Sequence, residues 1–266
     1  MTKDTDIPVI ILCGGRGTRL REETEYRPKP MVEIGNRPVL WHIMRIYAHH
    51  GFKHFLLCLG YKGFMIKEYF LNYRAIANDF TVTLGQRASI TYADHNDEVD
   101  WTITMAETGL DTMTGARVKR AAAKHLDSDT FMLTYGDGLA NIDIAALVRF
   151  HREAGRLVTV TGIRPPSRFG EMQTSGHLVT SFTEKPQVSE GLVNGGFFVC
   201  QRAFLDYLSE DESCVLEQEP LKHVATDGQL AVYAHEGFWQ CMDTFREYEV
   251  LSKLWEENAA PWRIWP

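Results

Sequence analysis

Residues Leu12 to Lys29, LCGGRGTRLREETEYRPK, follow the short apolar run Pro8 to Cys13 and combine three glycines, two early arginines and a lysine set between two prolines. Gly14, Gly15 and Gly17 leave backbone N–H groups open to an anion with no Cβ in the way, and Arg16, Arg19 and Lys29 bring positive charge that the backbone lacks. Phosphate handling is the chemistry this implies, although glycine spacing of this kind also makes an ordinary strand-to-helix turn. No Gly-Lys-Ser/Thr closes the loop, so it is not a Walker loop. Gly14-Gly15-Arg16-Gly17 lacks the third glycine of G-x-G-x-x-G, and no helix is expected directly after it, so it is not a dinucleotide fingerprint. Pro28 and Pro30 fix φ on either side of Lys29 and bias Arg27 and Lys29 toward extended backbone, which places the ammonium on a stiff segment.

Working outward, the pattern continues as a helix from Pro38 to His50, a strand from His54 to Leu59 and a helix from Lys62 to Tyr73. Leu40, Ile43, Met44 and Tyr47 recur at helical spacing, Pro38 suits a first helical position and Gly51 a C-terminal stop. This βαβα alternation predicts an α/β fold, a doubly wound and mainly parallel sheet with ligands at the carboxyl ends of its strands. Between Phe80 and Met105 the runs FTVTL, SITYA and TITMA are expected to form a small antiparallel insertion. Alternation resumes with helices at Thr114 to His125 and Ile142 to Glu153 and strands at Phe131 to Tyr135 and Leu157 to Gly162. The rest mixes strands (Leu178 to Thr183, Gly196 to Cys200, Leu230 to Ala234) with helices near Ala203 to Leu208, Pro220 to Thr226 and Glu247 to Glu257. We expect one domain over 1–266, with a nucleotide-binding half at about 1–140 and a sugar-phosphate half at about 141–266.

A chain of 266 residues that is 44% hydrophobic and 24% charged is large enough to bury a sizeable core. The net charge of −7 argues against nucleic acid or an anionic membrane as partner, so an anionic substrate must be met by local positive charge. The opening MTKDTDIPVIILCGG has no positive n-region or cleavage-type segment, and no run approaches the roughly 18 apolar residues of a membrane span, which points to the cytoplasm. Cys13, Cys58, Cys200, Cys214 and Cys241 are odd in number and widely spaced. Cys58 and Cys200 sit in apolar runs and are expected to be buried free thiols.

Asp137 in YGDG follows the apolar strand FMLT and is placed either at a ligand-facing strand end or in a tight turn. Asp243 in GFWQCMDT precedes a helix and suits either a metal ligand or an N-cap. Two carboxylates from distant parts of the chain would suit Mg²⁺, which takes one or two of them plus phosphate oxygens. Glu184-Lys185-Pro186 ends a strand, Asn194-Gly195-Gly196 suits a close backbone approach or a tight turn, and Trp239 suits either a hexose ring or the core. His42, His49 and His50 lie on one helix with no accompanying Cys or carboxylate pattern, so zinc is not expected there.

GGRGTRL followed by RPKPMVEI resembles the signature of the sugar nucleotidyltransferases. The likeness continues through LWHIMRIYAHHG, GYKG, IKEYF, MTGARVKR, YGDG, FTEKP, NGGFFV, GFWQCMDT and APW, and within the family it is similar to the cytidylyltransferases that act on glucose 1-phosphate. That resemblance implies Mg²⁺-assisted in-line attack of a sugar 1-phosphate oxygen on the α-phosphorus of CTP, giving CDP-glucose and pyrophosphate, in a homo-oligomeric enzyme. It implies Arg19, Lys29, Asp137 and Asp243 as catalytic residues, the two aspartates holding the metal. Leu12, Gly14, Gly15, Gly17, Thr18, Thr114 and Arg117 join Arg19, Lys29 and Asp137 around the nucleotide, with Arg117 near the pyrimidine. Gly170, Glu184, Lys185, Asn194, Gly195 and Trp239 face the sugar phosphate. The MTGARVKR segment departs from the cytidylyltransferase pattern, which has a second glycine where Ala116 stands. A different phosphorylated acceptor, or a nucleotide-sugar binding protein without turnover, are the competing readings.

Overall fold

The computed structural model describes residues 6–85, 88–93, 100–164, 171–183 and 191–266. Val9–Leu12 forms a strand buried along its whole length. Its side chains divide by period two between two cores. Val9 and Ile11 join the first with the helix Val39–His49, while Ile10 and Leu12 join the second with Val118, Ala121 and Ala122 of the helix Thr114–His125. The strand His54–Leu59 repeats the division, sending Phe55, Leu57 and Leu59 one way and Leu56 and Cys58 the other. Unbroken apolar runs suit strands covered on both faces, and each such side chain stabilises the layers by ~1.5–3 kcal/mol. The result is a sheet between two helical layers.

Seven strands make the central sheet, in the spatial order Leu230–His235, Val158–Ile163, Val193–Gln201, Thr130–Tyr135, Val9–Leu12, His54–Leu59, Thr102–Glu107. Val9–Leu12 runs parallel to both neighbours. From it the chain winds outward on one side through two strands, then returns to lay Thr130–Tyr135 on the other. That reversal opens a crevice at the carboxyl ends of these two adjacent strands. The α/β doubly wound reading holds, and a two-stranded antiparallel hairpin, Phe80–Thr83 with Ser89–Tyr92, supplies the insertion.

Several local expectations need correction. TITMA is not part of the insertion, because Thr102–Glu107 pairs in parallel with His54–Leu59 as the sheet's edge. Val193–Gln201 runs antiparallel to both neighbours, which makes the sheet mixed. Pro38 is the N-cap, still extended at ψ 148°, and not the first helical residue. Lys29 is not extended: Lys29–Met31 is a single 3-10 turn entered from an extended Pro28, and the Val32 N–H donates to the Lys29 carbonyl. The loop also carries a one-turn helix, Arg21–Thr24.

His42 is fully buried, donating from Nε2 to the Ile34 carbonyl at 3.0 Å and accepting from Trp262 Nε1 at 3.4 Å, so both ring nitrogens are used within the core. Burial pulls its pKa down to about 4, which keeps it neutral. Among the described residues no helix is long and apolar enough to cross a membrane.

Candidate active site

The crevice holds a cavity of about 340 Å³, walled by the loop after Val9–Leu12, by Lys29 and Pro30, by Thr112 to Thr114 with Arg117, and by the 135–137 turn with Asp243. Leu12, Gly14, Gly15, Gly17, Thr18, Arg19, Lys29, Thr114, Arg117, Asp137 and Asp243 therefore meet at one place. The loop leaves the sheet in register, since the Cys13 N–H still donates to the Cys58 carbonyl at 3.0 Å. Gly17 then turns it with φ +62°, where the Thr24 hydroxyl donates to the Gly17 carbonyl at 3.0 Å. Gly15 has open space where a Cβ would go, as a backbone meant for close approach by a ligand requires.

Arg117 is the strut beneath this loop. It is buried, and its guanidinium donates to the carbonyls of Leu59 (3.0 Å), Gly109 (2.6 Å), Leu110 (3.1 Å) and Gly14 (3.1 Å) and to the Thr108 hydroxyl (2.8 Å). Such a set satisfies a desolvated cation with oxygen acceptors, and it commits both terminal nitrogens to the protein. Arg117 therefore shapes this wall of the cavity through backbone carbonyls. It also explains two glycines: a Cβ on Gly14 would lie 2.2 Å from Arg117 Nη1, and one on Gly60 2.4 Å. Ala116 stands inside the helix, fully buried. Thr114 is similarly engaged, accepting from the Leu216 N–H at 2.9 Å and donating to Glu217 Oε2 at 2.8 Å.

The charged centre lies at the opposite wall. Lys29 Nζ is 2.5 Å from Asp137 Oδ2 and 2.5 Å from Asp243 Oδ1, and Arg19 Nη1 is 2.8 Å from Asp243 Oδ2. Burial works against the lysine charge, yet the two carboxylates hold its pKa above the ordinary value. The aspartates come together because two short strands pair: Gly138–Ala140 lies antiparallel to Trp239–Cys241, and the Met242 N–H donates to the Asp137 carbonyl at 2.9 Å. Asp243 is not an N-cap. Thr244 caps the helix Phe245–Glu256 in a capping box with Glu247, whose carboxylate also takes the Asp243 N–H at 2.8 Å, leaving the aspartate side chain to face Lys29. Gly136 fits only without a side chain, because a Cβ there would lie 2.7 Å from the Leu12 carbonyl oxygen.

Among the described residues no three His, Cys, Asp or Glu side chains converge on a metal position. Asp137 and Asp243 form a two-carboxylate set already directed at one cation, the Lys29 ammonium, which is the donor chemistry a hard divalent ion completes with phosphate oxygens. Arg16 is paired with Asp111 at 2.6 Å on the exposed rim. Four thiols are held away from nucleophilic reactivity: burial pushes Cys13 and Cys200 well up and Cys58 up to about 12, and burial with the Glu247 and Asp243 carboxylates brings Cys241 to about 12.

At the side where the sugar phosphate was expected, Trp239 Nε1 donates to the Gly195 carbonyl at 2.7 Å, tying the Asp137 turn to the strand Val193–Gln201. The indole is half-buried against the first core. Asn194 is exposed beside it and donates to the Tyr135 hydroxyl at 3.1 Å. Gly170, Glu184 and Lys185 lie outside the described residues. Sequence reasoning missed Tyr135, Glu217 and Glu247; only Glu247 carried a signal, the Thr244-x-x-Glu247 spacing of a capping box.

The nucleotidyl transferase family model matches residues 8–254. The chain belongs to that family. It is 45% identical over 256 residues to the glucose-1-phosphate cytidylyltransferase of Salmonella typhi, covering 96% of this chain and 98% of that relative. It is 43% identical to a probable glucose-1-phosphate cytidylyltransferase of Bacillus subtilis (strain 168), covering 96% and 99%. The fold matches the crystal structure of HddC from Yersinia pseudotuberculosis with a TM-score of 0.68 over 94% of this chain and 99% of that one, at 19% identity.

For this nucleotidyltransferase the two kinds of glycine should respond differently. Gly60→Ala, one step behind the cavity lining, should displace Arg117 and crowd the Gly14 carbonyl it holds, lowering both thermal stability and CTP affinity, the latter by about tenfold, the equivalent of ~1.4 kcal/mol. Gly15→Ala should leave stability intact. Differential scanning fluorimetry with and without CTP checks both, and a Gly60→Ala protein that melts and binds as wild type contradicts the strut role of Arg117.

Proposed function

We propose that this nucleotidyltransferase transfers the cytidylyl group of CTP to α-D-glucose 1-phosphate, forming CDP-glucose and releasing pyrophosphate. The observation that carries the reading is the convergence of Arg19, Lys29, Asp137 and Asp243 on one wall of the cavity, in a chain whose near-full-length relatives bear the name of this activity. The sugar phosphate oxygen is already anionic at neutral pH, so no protein nucleophile is needed. The remaining task is to hold two polyanions together and to neutralise charge on the five-coordinate phosphorus and the leaving pyrophosphate. Lys29 and Arg19 supply fixed positive charge at that wall, and Gly15 opens the backbone to the phosphates. Asp137 and Asp243 would hold Mg²⁺, which supplies Lewis-acid neutralisation of phosphate oxygens when bound. Gly170, Glu184 and Lys185 enter this reading through the family likeness, as the groups that receive the sugar phosphate together with Asn194, Gly195 and Trp239.

A cytoplasmic setting, where CTP is available, suits five free cysteines. Self-association belongs to the same reading. Leu71, Ile76, Phe80, Val82, Leu84 and Ile90 are exposed on the helices Gly63–Leu71 and Tyr73–Ala77 and on the hairpin that follows, apolar side chains that a second copy of the chain would cover. Sedimentation should give a mass that is a multiple of 30.4 kDa, and a monomer at assay concentrations would exclude the oligomer.

Pyrophosphate release measured with CTP and UTP against glucose 1-phosphate tests the activity. CTP should be preferred at least several-fold, because a buried site matched to the 4-amino group leaves a polar atom unpaired against a carbonyl at a cost of ~1–3 kcal/mol. Asp137→Asn and Asp243→Asn should each raise the Mg²⁺ concentration needed for half-maximal rate. Equal use of the two nucleotides would overturn the cytidylyl assignment, absence of pyrophosphate would point to a binding protein, and unchanged Mg²⁺ dependence in both variants would remove the aspartates as ligands.

A further inference from the structure

A single hydrogen-bonded chain runs from the nucleotide wall of the cavity to the sugar-facing strand. The Thr114 hydroxyl donates to Glu217 Oε2 at 2.8 Å, and the Tyr135 hydroxyl donates to Glu217 Oε1 at 2.5 Å. Asn194 Nδ2 donates to the Tyr135 oxygen at 3.1 Å, and Asn194 Oδ1 accepts the Gly196 N–H at 2.8 Å. Every role in the chain is forced. A carboxylate only accepts, so Tyr135 gives its one proton to Glu217 and can only accept from Asn194, which fixes which end of the asparagine amide is nitrogen. The Gly196 N–H imposes the same orientation from the other end. Tyr135 is itself held, since its ring lies under Gly196, a residue at φ +83° where a Cβ would approach the ring to 2.6 Å. Burial, reinforced by Glu217, pushes the phenol up and keeps it protonated.

We propose that Glu217 and Tyr135 are positioning residues that lock the exposed Asn194 amide so that it offers one N–H donor and one carbonyl lone pair to neighbouring hydroxyls of a hexose 1-phosphate. This rests on the sugar-phosphate reading above. An unlocked amide rotates between two states of reversed polarity, one of which places donor against donor. The lock thus selects for hydroxyl configuration on the sugar while leaving the chemistry at phosphorus to the charged wall. Because Glu217 also holds Thr114, the same carboxylate ties the nucleotide wall to the sugar side.

Steady-state kinetics with CTP and glucose 1-phosphate on wild type, Tyr135→Phe, Asn194→Ala and the double variant test the inference. Each single change should raise KM for the sugar phosphate by roughly three- to tenfold, the value of one hydrogen bond, with smaller effects on kcat and on KM for CTP. The double variant should be no worse than Asn194→Ala, since Tyr135 acts through it. Glu217→Ala should follow Tyr135→Phe in KM for the sugar phosphate, whereas Glu217→Gln, whose single carbonyl can still accept from Tyr135 but no longer also from Thr114, should recover most of that loss in KM for the sugar phosphate. Should Tyr135→Phe not fold, the Glu217→Ala and Asn194→Ala cycle gives the same comparison. Multiplying losses in the double variant would overturn the relay, and an Asn194→Ala enzyme with unchanged KM for the sugar phosphate would overturn it by removing Asn194 from the sugar. Wild type that turns over CTP with no sugar phosphate at all would fail the functional reading instead.

Discussion

The site depends on one partly buried contact, the Lys29 ammonium held between Asp137 and Asp243 at 2.5 Å from each. Unit charges about 4 Å apart interact by ~4 kcal/mol at the effective dielectric of a protein surface, so two carboxylates brought together without a cation would repel strongly. Lys29 offsets that repulsion, and it does so from a 3-10 turn fixed by Pro28. The pairing of Gly138–Ala140 with Trp239–Cys241 then becomes possible, and it joins segments about a hundred residues apart in sequence. A cation, two anions and a flanking arginine thereby sit at the carboxyl ends of adjacent parallel strands, where the sheet reverses its winding and a polyphosphate can enter. The charges needed for phosphoryl chemistry are balanced before substrate arrives, which limits the reorganisation left for the reaction.

The opposite wall is built differently. There Arg117 is buried and satisfied by four carbonyls and a hydroxyl. It keeps Gly14 and the Leu59 end of the neighbouring strand at a fixed separation, and glycine at positions 14 and 60 makes room for it. One wall is thus organised by ion pairs and can exchange partners with ligands, while the other is organised by hydrogen bonds and serves as a rigid face.

The sheet was legible because Val9–Leu12 and His54–Leu59 are continuous apolar runs and the helices between them keep a 3.6 period. Strand direction was not. Periodicity carries no sign, so Val193–Gln201 gave no hint that it runs antiparallel, and TITMA looked like part of a hairpin until its partner was known. Lys29 was recognised as special from its prolines, but the bias against helical backbone before Pro30 was overcome by a short turn that needs only one hydrogen bond. Asp137 and Asp243 were each ambiguous alone, as turn and as cap; the structure brings them together on Lys29 and gives the cap to Thr244. Arg117 was placed near the pyrimidine, and its strut role was hidden because its acceptors are mostly backbone carbonyls from separate parts of the chain, which leave no trace in the sequence. Tyr135 and Glu217 were missed for the same reason.

The central claim is that Lys29 is the resident counter-ion of a carboxylate pair built to hold a cation. Thermal unfolding of Lys29→Met at neutral pH, followed as Mg²⁺ is raised without nucleotide, tests it most directly. The account predicts a variant less stable than wild type that recovers with added Mg²⁺ and gains more from it than wild type does. A variant with wild-type stability and no response to the ion would contradict it.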